Sequence, residues 1–438
     1  MNQGVTMKNY LKTNIYMILT LLALVASMNA ARAAAVDAVV ALTKKEKPAL
    51  LETLRELVEI ESGSSDIEGL NKIADVLAGK FKQLGAKVEF IEPAADAYRD
   101  SATPEKVGRM VRATFTGTGT KKILLLAHMD TVYRRGMLAG QPFKIDGDRA
   151  YGLAIADDKH GIAVILHTLT ILNAMKFSDY GTITVLINAD EEIGSPASRS
   201  VITRLGTEHD ATMSFESGGA PENDNLSLAT SGSANAIITV RGRAAHSGVA
   251  PHLGINAVDE LAHQILQSRD LSDPKVGLRA NWTLASGGLV RNMIPPGAQA
   301  TLNIRVLRVA DLDGIEAKLR ERIKNKLLPQ AVVELNFERG RPPQQETPAS
   351  RALALHGQTI YAEIGKKLIV SDTPRGGGTD AAYAGLKTKA PVVEGFGLQS
   401  FGAHSTNAEF ILMSSIEPRL YLAARMIMDI SNGKAPLK

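Results

Sequence analysis

Apolar residues in the segment 48–84 recur every three or four positions, and the polar stretch 61–68 interrupts them. This spacing predicts two helices. Further along, Ile123–Ala127 is a continuous apolar run, which is typical of a strand that helices cover on both faces, and the run Gly181–Ala189 is predicted as another interior strand. Another helix is predicted between these runs, at Gly161–Met175. The alternation of strands and helices therefore predicts an α/β domain.

The hydrophobic pattern changes near Thr230. Between Ala234 and Phe337, strand-like and helix-like segments follow in the order β-α-β-β-α-β, which is that of a ferredoxin-like α+β unit. We therefore predict a ferredoxin-like domain at residues 231–342. It would be inserted into an α/β domain that residues 36–230 and 343–438 form together.

Local signals also predict the limits of two helices. Ser195 is a suitable N-cap, Pro196 fits the first helical position, and Gly206 is expected to end that helix. In the inserted domain, the apolar spacing predicts a helix at Leu312–Leu328.

The N-terminal segment has the pattern of a secretory signal peptide, which we assign to residues 1–33. Lys8 and Lys12 precede an apolar run at Ile15–Val25, and small residues follow it. The mature chain is expected to begin between residues 34 and 36. Because the apolar run is short for a bilayer, no stable membrane span is expected after cleavage; an uncleaved anchor is the alternative.

Composition excludes several classes of function. The chain has 438 residues and is 45% apolar, enough for more than one core. Removing residues 1–33 deletes three cationic side chains and lowers the formal charge from +4 to +1, so nucleic acid is not an expected partner. With no cysteine, a metal would need histidine and carboxylate ligands. Export without disulfides suits a bacterial periplasm, the expected location.

Acidic and imidazole side chains follow several of the predicted strands and turns. Such positions are suited to metal ligands that must converge on one point. Taken singly, each has an ordinary alternative as a turn former, a helix cap or a solvated acidic pair. The candidates are His128, Asp130, Asp157, Asp158, Glu191, Glu192, Glu216 and His404.

Four ordered motifs contain all of these residues except His404: AHMDTV at 127–132, GLAIADDK at 152–159, DEEIGS at 190–195 and SFE at 214–216. A fifth motif, GGGTDAA, follows at 376–382. This set resembles the M20 family of metallopeptidases, and within it the glutamate carboxypeptidases of the carboxypeptidase G2 type. The resemblance runs through nearly the whole mature chain. It implies a zinc-peptidase-like α/β catalytic domain with an inserted lid or dimerisation domain.

By position, the resemblance implies a dinuclear zinc site. His128 and Glu216 would bind one ion, Glu192 and His404 the other, and Asp157 would bridge the two. Asp130 would accept a hydrogen bond from the His128 ring and fix its tautomer. Glu191 would act as general base and later as general acid.

The resemblance also implies residues for the substrate. His246 would donate to the oxyanion of the partner subunit's site, so a homodimer through the inserted domain is expected. Asn292 and Arg305 match substrate-binding positions, Arg341 is a further candidate, and backbone amides at Gly377 and Gly378 would line the substrate side. For each of these side chains, the alternative is an ordinary solvated residue. His160, His167, His209, His263 and His356 are interpreted as structural or surface residues because no acidic neighbours were identified for them.

The implied activity is hydrolysis of the amide bond to a C-terminal amino acid, with glutamate expected in folate-like or peptide substrates. Arginine suits such substrates because it binds a free carboxylate in bidentate geometry. An N-acyl-amino-acid deacylase of the same family is the first alternative. An exported binding protein without catalytic activity is the second.

Overall fold

The computed structural model describes residues 37–101, 103–374, 377–405 and 408–438. The predicted signal peptide lies outside them. Two helices come first, α1 over residues 37–58 and α2 at Ile67–Gln83. The Asp66 carboxylate caps α2 by accepting from Gly69 N, and the helix buries a stripe that includes Leu70, Leu77 and Phe81. These are the two helices that the apolar spacing predicted.

The largest sheet has eight strands in the order β1-β2-β6-β3-β7-β14-β8-β13. Strands β6, β3, β7 and β14 pair in parallel at its centre, whereas β1, β2 and β6 pair antiparallel at one side. The strands are β1 Lys87–Ile91, β2 Met110–Thr116, β3 Lys122–His128, β6 Thr182–Asn188, β7 Ala211–Ser214, β8 Asn225–Ser227, β13 Ile369–Ser371 and β14 Val392–Glu394.

Helices cover this sheet on both faces, as the continuous apolar runs predicted. Alternate residues of β3 enter different cores: Leu125 joins the larger core, whereas Leu124 and Leu126 pack with Ile202 and Leu205. The surrounding helices are α3 His160–Ala174, α4 Arg199–Glu208, α7 Pro348–Ala362, α8 Ala381–Gly385 and α9 Ile416–Ser431.

Between β8 and α7 the chain leaves the large sheet and forms a separate antiparallel sheet in the order β10-β11-β9-β12. The β-α-β-β-α-β chain order and this strand order are those of a ferredoxin-like unit. The fold class is therefore confirmed. Its elements are β9 Gly232–Arg241, α5 Ala257–Gln267, β10 Arg279–Gly287, β11 Gly297–Val306, α6 Val309–Arg322 and β12 Val332–Arg339.

A small antiparallel sheet, β15-β16-β5-β4, carries the loop that contains His404. It is formed by β4 Lys144–Asp146, β5 Arg149–Tyr151, β15 Ser400–Phe401 and β16 Phe410–Leu412. Among the helices of the described residues, none is both long and apolar enough to cross a bilayer.

The predicted limits of two helices are wrong at both ends. Helix α4 begins at Arg199 because Ser195 has a left-handed backbone with φ of 58°, and the Asp190 carboxylate accepts from Ala197 N and Ser198 N instead. The same helix continues past Gly206 to Glu208. Helix α6 spans Val309–Arg322, so it begins earlier and ends earlier than the apolar spacing predicted.

Candidate metal centre

Three parallel strands bring their carboxyl ends to one edge of the large sheet. His128 is the last residue of β3, Glu191 and Glu192 follow β6, and Glu216 follows β7. Strand β3 pairs with both of its neighbours in parallel. Because carboxyl ends of parallel strands meet at one edge, residues far apart in sequence become neighbours.

The first cluster of ligand atoms surrounds His128, which is 1% exposed. Its Nε2 lies 2.9 Å from Asp157 Oδ1 and 3.2 Å from Glu216 Oε1. Its Nδ1 lies 3.0 Å from the Asp130 carbonyl oxygen, which can only accept, so Nδ1 carries the proton. Nε2 is therefore the nitrogen available to a metal.

The second cluster surrounds His404. Its Nε2 lies 3.1 Å from Asp157 Oδ2 and 3.1 Å from Glu192 Oε2. The backbone of His404 is left-handed, with φ of 62°, in the turn between β15 and β16. The two oxygens of Asp157 thus face the two clusters, which is the arrangement expected of a bridging carboxylate.

Asp158 also approaches the first cluster, within 4.8 Å of the ligand atoms of His128 and Glu216. Its carboxylate is engaged by the main chain, however. Oδ2 accepts from His128 N at 3.4 Å and Oδ1 accepts from Gly161 N at 3.2 Å. Asp158 is therefore better placed to hold the backbone of the site than to replace Asp157 as the bridge.

The donor set fits divalent metal ions. Imidazole nitrogens and carboxylate oxygens are the ligands that zinc takes when thiolates are absent. Glu192 Oε1 is buried and has no hydrogen-bond partner among the described residues, although its other oxygen faces His404. A bound cation would satisfy this oxygen, which otherwise carries a desolvation cost.

The electrostatics of the site also favour a cation. Burial and the neighbouring Asp157 carboxylate raise the pKa of Glu216 to about 7, and burial raises the pKa of Glu192. Burial opposes the ionisation of Asp157, but hydrogen bonds from His128 and His404 outweigh it and lower its pKa. Hydrogen bonds to Asp157 and Glu192 raise the pKa of His404 to about 11. Metal binding would replace the protons that now balance these charges.

Asp130 connects His128 to the turn that carries Glu191 and Glu192. Its carboxylate accepts from Glu191 N at 3.0 Å, from Glu192 N at 3.1 Å and from Ser64 Oγ at 2.8 Å. Asp130 Oδ1 is 3.4 Å from His128 Nδ1, so the shorter contact to this ring comes from the Asp130 carbonyl. One residue thus orients a ligand histidine and the turn that presents both glutamates.

Glu191 is buried and contacts Arg341. Arg341 Nη1 lies 2.6 Å from Glu191 Oε1, and Arg341 Nη2 donates to the Glu191 carbonyl at 2.5 Å and to Ser195 Oγ at 3.2 Å. Burial raises the pKa of Glu191 well above its usual range, while the adjacent guanidinium opposes that rise. The structure therefore places Arg341, predicted as a substrate residue, on the predicted base.

The remaining predicted residues divide between the two ends of the inserted sheet. Arg305 is exposed on β11, opposite Ser233 at the start of β9. His246 and Asn292 are exposed in loops at the other end, where Ser247 N donates to the Asn292 carbonyl. Since β9 has ten residues, the two ends are roughly 30 Å apart. One protomer therefore does not bring His246 and Asn292 to the same small substrate as Arg305.

The glycine-rich segment lies beside Arg341. A Cβ on Gly378 would be 2.9 Å from Arg341 Cδ, so only glycine allows this close approach, whereas Gly377 faces open space. Gly376 lies outside the described residues. Farther along the same motif, Asp380 accepts from Asn188 Nδ2 at 2.7 Å and from Ser195 Oγ.

Sequence reasoning missed Glu409, which holds the Asp157 turn. Its carboxylate accepts from Ala154 N at 3.1 Å, Ala156 N at 2.9 Å and Tyr133 Oη at 2.6 Å, and the residue is fully buried. The only indication of this role in the sequence is a carboxylate five positions after His404. It was too common a feature to single out.

Three of the five histidines that were expected to lack acidic neighbours do have them. His160 lies beside Asp158, whereas His167 and His356 contact Glu46 and Asp429. The His209 ring instead contacts the Leu205 carbonyl and Thr184, and the His263 ring contacts the Asn325 carbonyl.

A cavity of about 420 Å³ opens beside the ligands and gives access to them. Asp157, Glu216, Ser217, Phe401 and Ala403 are among the residues that line it. The site therefore joins a buried set of polar ligands to a cleft of the size that small molecules occupy.

Comparisons with known proteins agree with this geometry. The sequence profile of peptidase family M20/M25/M40 matches residues 124–429. Carboxypeptidase G2 of Pseudomonas sp. (strain RS-16) is 43% identical over 389 residues, which cover 89% of this chain and 91% of that protein. Succinyl-diaminopimelate desuccinylase of Methylorubrum populi is 26% identical over 354 residues, 76% of this chain and 86% of that protein.

Solved structures share the fold. Aminopeptidase PepT from Bacillus cereus superposes with a TM-score of 0.70 at 22% identity, covering 88% of this chain and 98% of that one. The M20 family metallo-carboxypeptidase Sso-CP2 from Sulfolobus solfataricus gives 0.68 at 16% identity, covering 87% and 99%. The family resemblance that the five motifs predicted is confirmed by the family profile and by the 43% identity to carboxypeptidase G2.

Proposed function

Because this chain belongs to peptidase family M20/M25/M40 and is a metallopeptidase similar to carboxypeptidase G2, we propose that it is an exported dinuclear zinc carboxypeptidase. It would hydrolyse the amide bond to a C-terminal glutamate in folate-like or peptide substrates. The observation that carries the proposal is Asp157, whose two oxygens face His128 and His404 on opposite sides.

His128, Asp157, Glu192, Glu216 and His404 would hold the zinc ions, whose chemistry when bound would be to lower the pKa of a water molecule and to polarise the scissile carbonyl. Glu191 is free of this ligand set and lies on the same turn as Glu192. With Oε1 held by Arg341, its other oxygen can take a proton from the attacking water. The same carboxyl group then passes the proton to the leaving amine.

On the substrate side, Arg305 would bind the α-carboxylate of the C-terminal residue. Its side chain is exposed, and within the described part of the chain no carboxylate pairs with it. Arginine suits this task because its planar fork matches both oxygens of a carboxylate. Substrates whose α-carboxylate is amidated are therefore expected to react poorly.

The direct experiment measures hydrolysis of N-acyl-glutamate, of its α-amide and of a matched N-acyl-leucine by the zinc-loaded mature chain. We expect turnover of the free glutamate substrate, little turnover of the α-amide, and about two zinc ions per chain by elemental analysis. Equal turnover of the amide and the acid would remove the role of Arg305. Turnover of the leucine substrate alone would remove the glutamate preference, and no turnover would support a binding protein.

We also propose that the enzyme acts as a homodimer through the inserted domain. Strand β10 is an edge strand, and nearby large apolar residues are exposed: Val249, Leu253, Leu266, Leu284 and Leu289. Exposed edges and apolar patches of this kind favour association. The His246 ring accepts at Nδ1 from Gly248 N and Val249 N, so its proton resides on Nε2, which would donate to the substrate of the partner's site.

Mixing two inactive variants tests this shared site. His246→Ala keeps Glu191, and Glu191→Gln keeps His246, so a mixed dimer would contain one complete site. Random exchange at equal concentrations should restore about a quarter of the wild-type rate if the dimer is two-fold symmetric. Failure to restore activity in a verified mixed dimer would contradict a donor role in trans.

Export is proposed from residues 1–33 alone, which lie outside the described residues. Expression with this segment in a Gram-negative host should yield a periplasmic protein whose N-terminus falls within residues 34–36. Retention of the uncleaved segment in the membrane fraction would support an anchor instead.

A further inference from the structure

Two arginines stand side by side on the open face of the inserted sheet. Arg279 on β10 pairs in register with Arg305 on β11, and both are exposed. Directly opposed residues of an antiparallel pair have Cβ atoms about 4.5–5.5 Å apart, so the two guanidinium groups can reach the same small ligand. In the described part of the chain, neither of them pairs with a carboxylate.

Most other arginines of this domain do have acidic partners. Examples are the pairs Arg241–Glu334, Arg308–Asp311, Arg320–Glu316, Arg322–Asp270 and Arg339–Asp313. Like charges directly opposite each other destabilise a sheet. The Arg279–Arg305 pair is therefore a repulsive feature that an anionic ligand would relieve.

The open face that carries this pair is turned towards the catalytic domain. Glu338 lies on the same face, since it is in register with Asn235 and Asn235 with Asn303. Its carboxylate accepts from Ser101 N and Ser101 Oγ, both at 3.0 Å, which ties this face to a loop before β2.

The pair also lies at the end of the sheet nearest the predicted base. Arg305 is in register with Ser233, whose N donates to the Arg341 carbonyl at 2.8 Å. The Arg341 side chain in turn contacts Glu191 at 2.6 Å. A short chain of neighbours thus connects the two exposed arginines to the reaction centre.

We propose, on the basis of the proposed function, that Arg279 binds the side-chain carboxylate of the substrate's C-terminal residue while Arg305 binds its α-carboxylate. Each guanidinium can form two parallel hydrogen bonds to one carboxylate. Two adjacent guanidinium groups match the two carboxylates of a short dicarboxylic amino acid. Arg279 would therefore determine the preference for glutamate over neutral residues.

The test compares Arg279→Gln with the wild-type enzyme on N-acyl-glutamate and N-acyl-glutamine, which differ only in that side-chain charge. We expect kcat/KM for glutamate to fall about tenfold or more, with less than about a twofold change for glutamine, because one charge-assisted contact is lost. The kcat/KM of Arg279→Lys for N-acyl-glutamate should lie between the values of the wild type and of Arg279→Gln. Arg269→Gln, at an exposed position after α5, is the matched control and should leave both values unchanged.

Binding of the free products gives a second readout that needs no turnover. Calorimetry should show about tenfold weaker binding of glutamate to Arg279→Gln and unchanged binding of glutamine. Equal losses for both substrates, or a wild-type enzyme that does not discriminate between them, would overturn the role of Arg279 while the hydrolase proposal stands. A wild-type enzyme that cleaves neither substrate would refute the proposed function, and the glutamate binding comparison would then decide on Arg279 alone.

Discussion

Arg341 is the residue on which the predicted role and the observed contacts differ most, and its substitution separates the two. If Arg341 binds substrate, its loss should raise KM. If it positions Glu191, its loss should lower kcat. The structure favours the second outcome because the guanidinium holds both the carboxylate and the carbonyl of Glu191 and has a side chain only 10% exposed.

The magnitude follows from these contacts. Arg341→Met removes the charge-assisted contact to the Glu191 carboxylate, worth about 1.5–3 kcal/mol, together with the hydrogen bonds to the Glu191 carbonyl and to Ser195 Oγ. If that energy is expressed in the transition state, kcat falls roughly 10- to 150-fold, since about 1.4 kcal/mol corresponds to a factor of ten. KM should change less than about twofold because no uniform binding contact is lost. Arg341→Lys keeps the charge but not the fork and should be intermediate.

Steady-state kinetics of the metal-loaded enzyme provide the assay. Arg339→Met is the control, since that neighbouring guanidinium pairs with Asp313 and Glu316 on the inserted domain. In a Glu191→Gln background, adding Arg341→Met should cost little, because two residues that act as a unit are not additive. A higher KM at unchanged kcat, or full additivity with Glu191→Gln, would refute the positioning role.

Four further outcomes are expected. Glu191→Gln should retain bound metal by elemental analysis and lose about 10²–10⁴-fold in kcat, whereas unimpaired turnover would exclude it as the base. A chelator should abolish activity and lower the Tm, and added zinc should restore both; activity that survives verified metal removal would contradict a metal-dependent mechanism. Arg419→Met should lower the free energy of unfolding by about 3–5 kcal/mol in a denaturant titration, because this fully buried guanidinium donates to the Gly395, Gly218 and Asn225 carbonyls. Arg351→Met is the control and should change that free energy much less, because the partly exposed Arg351 forms only surface ion pairs with Glu346 and Asp372. Burial lowers the pKa of His167. The stability that the neutral ring contributes is therefore present above its unfolded pKa of about 6.5 and is lost as the pH falls through the folded value. The Tm of His167→Gln should accordingly vary less between pH 7 and 5 than that of the wild type.

The catalytic fold and the approximate places of the candidate metal ligands could be predicted because they depend on local patterns. A continuous apolar run ending in His128 indicates a central strand, and a polar group at its carboxyl end falls at the edge where parallel strands converge. The ordered motifs added the family. Neither the apolar pattern nor the motifs require knowledge of the distances between segments that are remote in sequence.

The partners of individual side chains could not be predicted in this way. Arg341 reaches Glu191 across 150 positions, and Glu409 reaches Ala156 across 253. The pairing of Arg279 with Arg305 requires the register of two strands, which a bulge between Trp282 and Leu284 shifts by one residue. Hydrophobic periodicity carries no information on such contacts, because it reports which face a residue occupies and not what lies opposite.

The contacts of Arg341 also give the inserted domain a direct connection to the reaction centre. Its carbonyl accepts from Ser233 at the start of β9, while its side chain holds Glu191 in the catalytic domain. A rotation of the inserted sheet about this end would therefore move the backbone that positions the base and, through the register of β9 with β11, Arg305 as well. Substrate binding at Arg305 and orientation of Glu191 would then depend on the same few residues.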